Sequence, residues 1–429
     1  MHSFHYHQGN LLCEDVSLQA LAKEHGTPLY VYSKATLVDH FTRLDQALAP
    51  LDHLICYAVK ANSNLAVLGT LAKLGSGFDI VSAGELFRVI RAGGDPGRCT
   101  FAGVGKTAAE IRYALEQGIY CVNAESAAEL ERINEVAGSL GLRAPVAVRV
   151  NPNVDAKTHA KITTGKSENK FGVDFEQIEA LYAHIATLPN LRIRGVQMHI
   201  GSQLTSVEPF VEAVRKVAPL VAALHARHQL EFFSIGGGVG INYRQCLDSA
   251  DAAWWEANAA AQHPLTLQAY ADAVVPLLKP LGLRILCEPG RFMVGNAGAL
   301  ITEVLYEKSG KAKTFCIVDA GMNDLIRPTL YEGWHQIVPL AQSHEATRPC
   351  DVVGPICETG DYLAQDRALP PVKAGDFLAV LSAGAYGFSM ASNYNTRPLP
   401  AEVLVDGNKA SVVRQRQSLE DVLRGESLA

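Results

Sequence analysis

The chain alternates between two textures. Short apolar, β-rich runs occupy residues 54–59, 77–81, 99–103, 120–122, 146–150, 193–199, 232–235 and 283–287. Near-continuous apolar runs of this length read as parallel strands buried on both faces. Between them, residues 65–74, 83–92, 108–117 and 126–140 place apolar side chains at three- and four-residue spacing, the signature of amphipathic helices. Gly75, Gly93 and Gly118 follow three of these segments, where glycine commonly ends a helix. Eight strands alternating with helices predict a (β/α)8 TIM-type barrel, with a doubly wound open sheet as the structural alternative. The span from Leu54 to Arg291 is roughly 240 residues, close to the usual size of such a barrel.

Beyond Arg291 the period shortens. Residues 299–306, 314–318, 351–356, 377–382, 402–405 and 410–414 are short alternating runs, and Val405-Asp406-Gly407-Asn408 is a hairpin signal. This tail reads as a C-terminal all-β domain, to which an N-terminal strand at 28–32 can be added. The expected division is residues 1–36 contributing to the β domain, 37–286 forming the barrel, and 287–429 completing the β domain.

Composition narrows the class. The 429 residues are 48% hydrophobic and 19% charged, which suits a globular chain of two domains. The net charge of −6 and a pI near 6.2 suggest neither a nucleic-acid nor a membrane partner, and favour a small-molecule enzyme. No apolar run reaches the ~18 residues needed to span a bilayer. The start carries His2, His5 and His7 without an apolar core, so it reads as an exposed, flexible beginning rather than a secretory leader or a metal site. Nine cysteines with no C-x-x-C pair argue against a disulfide framework or zinc, and for a reducing cytoplasm. Cys56, Cys121, Cys287 and Cys316 sit in apolar runs and read as core residues.

Polar residues gather at the ends of the predicted strands. Lys60 follows strand one, Asp79 lies near the end of strand two, Arg149 and Asn151 end strand five, and His199 ends strand six. Gly236-Gly237-Gly238-Val239-Gly240 follows strand seven, and Glu288-Pro289-Gly290-Arg291 follows strand eight. In a barrel these ends share one rim, where active sites are built. Lys60 comes after largely apolar residues; lost hydration would make it an imine-forming nucleophile, while a snorkelling lysine is the plainer reading. The glycine run can offer backbone N–H groups to a phosphate, or be a plain loop. Glu288 could hold a protonated ring nitrogen or form a salt bridge with Arg291. His199 could lie flat against a ring or be structural. Gly105-Lys106-Thr107 resembles the end of a P-loop, but Thr100 stands where its first glycine belongs, so it reads as an ordinary loop. The long polar stretch from Asn151 to Gly172 reads as a lid.

Taken together, Tyr57-Ala58-Val59-Lys60-Ala61-Asn62, His199-Ile200-Gly201-Ser202, the 236–240 loop, Glu288-Pro289-Gly290-Arg291 and Gly354-Pro355-Ile356-Cys357-Glu358 resemble diaminopimelate decarboxylases. These are a branch of the fold-type III pyridoxal-phosphate (PLP) decarboxylases, with an alanine-racemase-like barrel. The resemblance runs from Gly26-Thr27-Pro28-Leu29-Tyr30 to Ser392-Asn393-Tyr394-Asn395. It implies that Lys60 forms an imine with the cofactor aldehyde and that His199 stacks on the cofactor ring. Ser202, Gly237, Gly238, Gly290 and Arg291 would contact its phosphate, and Glu288 its ring nitrogen. Asp79 and Tyr386 would join the cofactor site, with Glu85 and Arg149 as supporting residues. Arg291, Arg327, Tyr331, Glu358 and Tyr386 would bind substrate, and Cys357 would donate a proton.

The resemblance further implies a homodimer in which Cys357 and Glu358 enter the neighbouring subunit's site. The expected reaction is decarboxylation of meso-2,6-diaminopimelate at its D-centre to L-lysine, the last step of lysine biosynthesis. The alternative is a related decarboxylase acting on another basic amino acid or a carboxylated polyamine. Thr359 follows Glu358 where the family usually has serine, a change that could reshape substrate preference.

Overall fold

The computed structural model describes residues 2–155, 170–258 and 265–429. The chain divides into two compact units. One comprises His40–Ile241 and Ala261–Met293; the other comprises Met1–Asp39, Asn242–Ala260 and Val294–Ala429.

The first unit is a closed parallel barrel. Its strands are β1 (His53–Ala58), β2 (Gly77–Ile80), β3 (Cys99–Phe101), β4 (Cys121–Ala124), β5 (Ala144–Asn151), β6 (Leu191–Met198), β7 (Phe232–Ser234) and β8 (Arg284–Cys287). Each pairs in parallel with the next, and β8 closes on β1 through Leu286↔Leu54. Closure removes the edges that an open doubly wound sheet would leave. Several of the helices between strands start on side-chain caps. Ser82 accepts from the Glu85 N–H, Thr107 forms a reciprocal cap with Glu110, and Ser126 accepts from the Glu129 N–H. The glycines at 75, 93 and 118 have φ of +86°, +84° and +71°, the left-handed turn that ends each helix.

Alternation along the strands builds the barrel interior in layers. Leu54, Cys56, Tyr120, Cys121, Ala147, Phe232 and Leu286 form one apolar cluster. One step nearer the strand C-termini, on the same faces, stand Asp79, Thr100, Asn123, Arg149, Gln197, Ser234 and Glu288, all buried. The barrel is therefore dry at one end and polar at the other. Gly195 makes the packing possible, since a Cβ there would come within 2.6 Å of the Phe232 carbonyl oxygen. The β5–β6 register slips between Ile193 and Gly195. The Tyr182 hydroxyl spans this slip, accepting from the Val148 N–H (3.2 Å) and donating to the Gly195 carbonyl (2.5 Å).

The second unit is β-rich and also carries helices such as Leu18–His25 and Arg327–Tyr331. Its larger sheet is organised around Leu29–Ser33, which pairs antiparallel with Gly298–Ser309 and parallel with Ala401–Asp406. The N-terminal strand is thus central to that sheet. Ala401–Asp406 turns back into Lys409–Arg414 with Asp406 opposite Lys409, as the hairpin signal requires. Two features depart from expectation. The first residues are not a loose start. Phe4–His7 pairs with Asn10–Cys13, and Phe4, Leu11 and Cys13 are buried, so apolar contacts outweigh the polar histidines between them. Residues 242–260, placed inside the barrel span by sequence periodicity, belong to the β-rich unit by contact.

Among the described residues, no helix is long and apolar enough to cross a membrane. Most of the expected lid, residues 156–169, lies outside them.

Candidate active site

The polar end of the barrel collects most of the candidates. Lys60 sits in a short 3-10 turn, Val59–Ala61, immediately after β1. Its ammonium bonds Asp79 Oδ2 at 2.7 Å. The side chain is 42% exposed, more than its buried neighbours Val59 and Ala61. A buried carboxylate holds it.

Glu288 caps the end of β8. Ser234 Oγ donates to its Oε1 at 2.7 Å and Gln197 Nε2 to its Oε2 at 2.9 Å. Arg291 does not pair with it in a salt bridge and donates to Ser202 Oγ at 3.1 and 3.3 Å. Burial pushes the Glu288 carboxyl up to about 7; the Asp79 charge adds to this, while Ser234, Gln197 and Lys60 oppose it. Glu85, which accepts the Val81 N–H at 2.7 Å, is also pushed up to about 7 by burial.

His199 follows β6 and is half-buried. Burial, then the charges of Arg149 and Lys60, hold its imidazole well below its usual range. The Gly237 N–H donates to His199 Nδ1 at 3.2 Å, which makes Nδ1 the acceptor and leaves the proton on Nε2. His199 is therefore a neutral ring of fixed tautomer. That one positive group affects both His199 and Glu288 places Lys60 within electrostatic reach of both.

The glycine turn is tied to the same residues. Glu288 N–H donates to the Gly236 carbonyl at 2.8 Å, and Leu204 N–H to the Gly238 carbonyl at 2.9 Å. A Cβ at 237 would lie 2.2 Å from the Glu288 carbonyl oxygen, so this close approach requires glycine. Pro289, next to Gly290, accepts the Ala58 N–H at 3.0 Å, which brings the 288–291 segment beside the turn that carries Lys60.

Asp79 Oδ1, Arg149 Nη2 and Gln197 Oε1 are buried without hydrogen-bond partners among the described residues. Buried polar atoms of this kind normally have partners. A planar group bearing hydrogen-bonding atoms and a negative charge fits their mix of donors and acceptors. Lys106 has no such role: its ammonium is buried on Glu129 (2.6 Å) and on the Gly103 and Asn123 carbonyls, a structural pin.

The remaining candidates belong to the β-rich unit. Arg327 and Tyr331 begin and end one helical turn, with Arg327 buried. Tyr386 is half-buried with φ of +56°. Cys357 is the exposed cysteine, and the other eight are buried. Its N–H donates to Asn395 Oδ1 (2.9 Å), and Glu358 Oε2 accepts from the Tyr394 hydroxyl (3.2 Å), so one loop presents both residues. Sequence reasoning missed Gln197 and Ser234. The signal was present: Gln197 is two residues before His199 and hence on its face of the strand, and Ser234 interrupts an apolar run.

Comparison with known proteins gives the family. The family model described as pyridoxal-dependent decarboxylase, pyridoxal binding domain, matches residues 34–295. The chain is 49% identical to the diaminopimelate decarboxylase of Vibrio cholerae, covering 100% of this chain and 99% of the relative. It is 48% identical to that of Pseudomonas aeruginosa over 100% and 99% of the two chains. The crystal structure of Helicobacter pylori diaminopimelate decarboxylase complexed with L-lysine is 43% identical, with a TM-score of 0.88 over 95% of this chain and 98% of that one. The M. jannaschii diaminopimelate decarboxylase in co-complex with L-lysine is 34% identical, with a TM-score of 0.91 over 100% and 98%. With this likeness spanning both units, the chain belongs to the diaminopimelate decarboxylase family of pyridoxal-dependent decarboxylases.

Proposed function

We propose that this protein is a PLP-dependent carboxy-lyase that removes carbon dioxide from the D-centre of meso-2,6-diaminopimelate to give L-lysine, the last step of lysine biosynthesis. The observation that carries the reading is the barrel rim. There an amine (Lys60), a buried acid (Glu288), a neutral imidazole (His199) and a glycine turn are joined by direct hydrogen bonds or electrostatic reach.

When bound, pyridoxal phosphate supplies an aldehyde for the substrate amine and a ring that accepts the electron pair left by carbon dioxide. The chain's residues do the rest. Lys60 would hold the cofactor by its aldehyde, and Asp79 holds the lysine ammonium. Glu288 keeps the ring nitrogen protonated, which its raised affinity for a proton suits. His199, being uncharged, can lie against the ring without adding a positive charge to the site. Ser202, Gly237, Gly238, Gly290 and Arg291 receive the phosphate. Arg291, Arg327, Tyr331 and Tyr386 take the substrate, and the guanidinium fork of Arg327 suits its distal carboxylate. Glu358 takes the distal ammonium. Cys357 hands a proton to the carbon that has lost its carboxylate.

The exposure of Cys357 and Glu358 on one loop fits a homodimer in which each supplies the partner's site. The barrel binds the cofactor. A cytoplasmic location accords with eight buried free thiols. A decarboxylase for simple diamine precursors has no use for Arg327, since its substrate lacks a distal carboxylate.

Purified protein with PLP and defined diaminopimelate isomers should release carbon dioxide and lysine from the meso form alone. Lys60→Ala should abolish both the imine absorption band and turnover. Release from every isomer, or an unchanged spectrum in the variant, would refute the assignment.

A further inference from the structure

Arg327 starts the helical turn Arg327–Tyr331, and the chain then doubles back. Glu332 takes a left-handed conformation (φ +52°), and its N–H donates to the Arg327 carbonyl. The Gly333 N–H donates to the same oxygen at 3.1 Å, and a Cβ at 333 would sit 3.0 Å from it, so the return passes tightly against Arg327. Two residues later comes His335, fully buried at 0% exposure.

The imidazole joins two fixed partners. Nδ1 lies 2.8 Å from the Leu381 carbonyl, which can only accept, so Nδ1 carries the proton. Nε2 lies 2.6 Å from Arg327 Nη1, which can only donate, so Nε2 accepts. Tyr243 closes a triangle: the Arg327 guanidinium lies 4.5 Å from its ring centroid, and the His335 ring meets it edge-on at 5.2 Å and 79°. Arg367 donates to the His335 carbonyl and stacks on the neighbouring Trp334 at 3.8 Å, fixing the histidine's backbone as well. A guanidinium gripped by an acceptor on one edge and an aromatic face below cannot rotate without breaking both contacts.

We infer that His335 is a positioning residue for substrate selection: as a neutral acceptor it fixes the plane of the Arg327 guanidinium for the distal carboxylate of the substrate. This rests on the proposed function, which assigns that carboxylate to Arg327. Histidine suits the position because one rigid ring accepts from the arginine and donates to the Leu381 carbonyl. Glutamine can do both through its amide, less rigidly; leucine can do neither.

Steady-state kinetics on the PLP-loaded enzyme with meso-diaminopimelate tests this. His335→Leu should raise KM at least tenfold and change kcat less than threefold, with an unaltered cofactor absorption band. His335→Gln should recover most of the KM. In an Arg327→Ala background, His335→Leu should add less than a twofold effect, because its influence passes through the arginine. An unchanged KM in H335L, or an equal effect in both backgrounds, overturns the inference. Should H335L fail to fold, H335N replaces it, since its short amide reaches one partner only; a KM within twofold of wild type then overturns the inference. The wild-type control separates the two levels: no lysine from wild type overturns the functional reading and this inference with it, whereas normal wild-type turnover confines any failure to His335.

Discussion

Replacing Glu288 with glutamine should stabilise the cofactor-free protein while disabling catalysis. The carboxyl's proton affinity is displaced from its ordinary 4.5 to about 7 because ionising it means charging a buried group beside Asp79. A carboxyl raised in the folded state binds its proton more tightly there than in the unfolded chain. Its contribution is therefore undiminished below pH 4.5 and is lost as pH rises through about 7. At about 1.4 kcal/mol for each tenfold change in proton affinity, the loss is about 1 kcal/mol at pH 5.5 and about 3 kcal/mol at pH 8. Glutamine cannot ionise and has nearly the same shape. Ser234 can still donate to its amide oxygen, and Gln197 can turn its own unpartnered Oε1 toward the new NH2. Thermal melts or urea titrations of stripped wild type and Glu288→Gln from pH 5.5 to 8 should diverge steadily, the variant being the more stable at pH 8. Parallel curves would show that burial of this acid does not load the fold, and the argument for its role at a ring nitrogen would lose its physical basis. Decarboxylation by the variant should fall by at least about a hundredfold, within the range of well-placed proton-handling groups.

Three further outcomes are expected. Gly237→Ala puts a methyl 2.2 Å from the Glu288 carbonyl oxygen, so the turn must shift; PLP titration followed by absorbance should show at least tenfold weaker binding. Tyr182→Phe strips the Val148 N–H and the Gly195 carbonyl of a buried hydroxyl partner, and should lower stability in urea by about 1–3 kcal/mol without altering the cofactor spectrum. Cys357→Ala should lower kcat by about a hundredfold while leaving PLP binding unchanged, a split expected for a proton donor and not for a residue of the fold.

The barrel was legible because its chemistry is local. A strand buried on both faces must be apolar along its length, and the helix that follows must carry one apolar stripe; all eight runs became strands, with ends shifted by a few residues. The rim was legible for a related reason, since parallel strands that alternate with helices all point the same way and their C-terminal residues must converge. Lys60, Asp79, His199 and Glu288 followed from position alone. Other features escaped. The hairpin of Phe4–His7 and Asn10–Cys13 has too few apolar residues to announce itself, and is fixed by burial of Phe4, Leu11 and Cys13 in a core built from distant segments. The partner of Lys60 could not be read from its neighbours, because Asp79 reaches it from the next strand.

Sequence alone thus determined the order of elements, the barrel, and which polar groups share its rim, because period and polarity are properties of neighbours along the chain. Tertiary structure decided the partners. Glu288 went to Ser234 and Gln197 and not to Arg291, His199 took its tautomer from Gly237, and Arg327 found His335 across a left-handed turn. Hydrogen bonding depends on distances of a few tenths of an ångström between groups far apart in the chain, and only packing in three dimensions sets those.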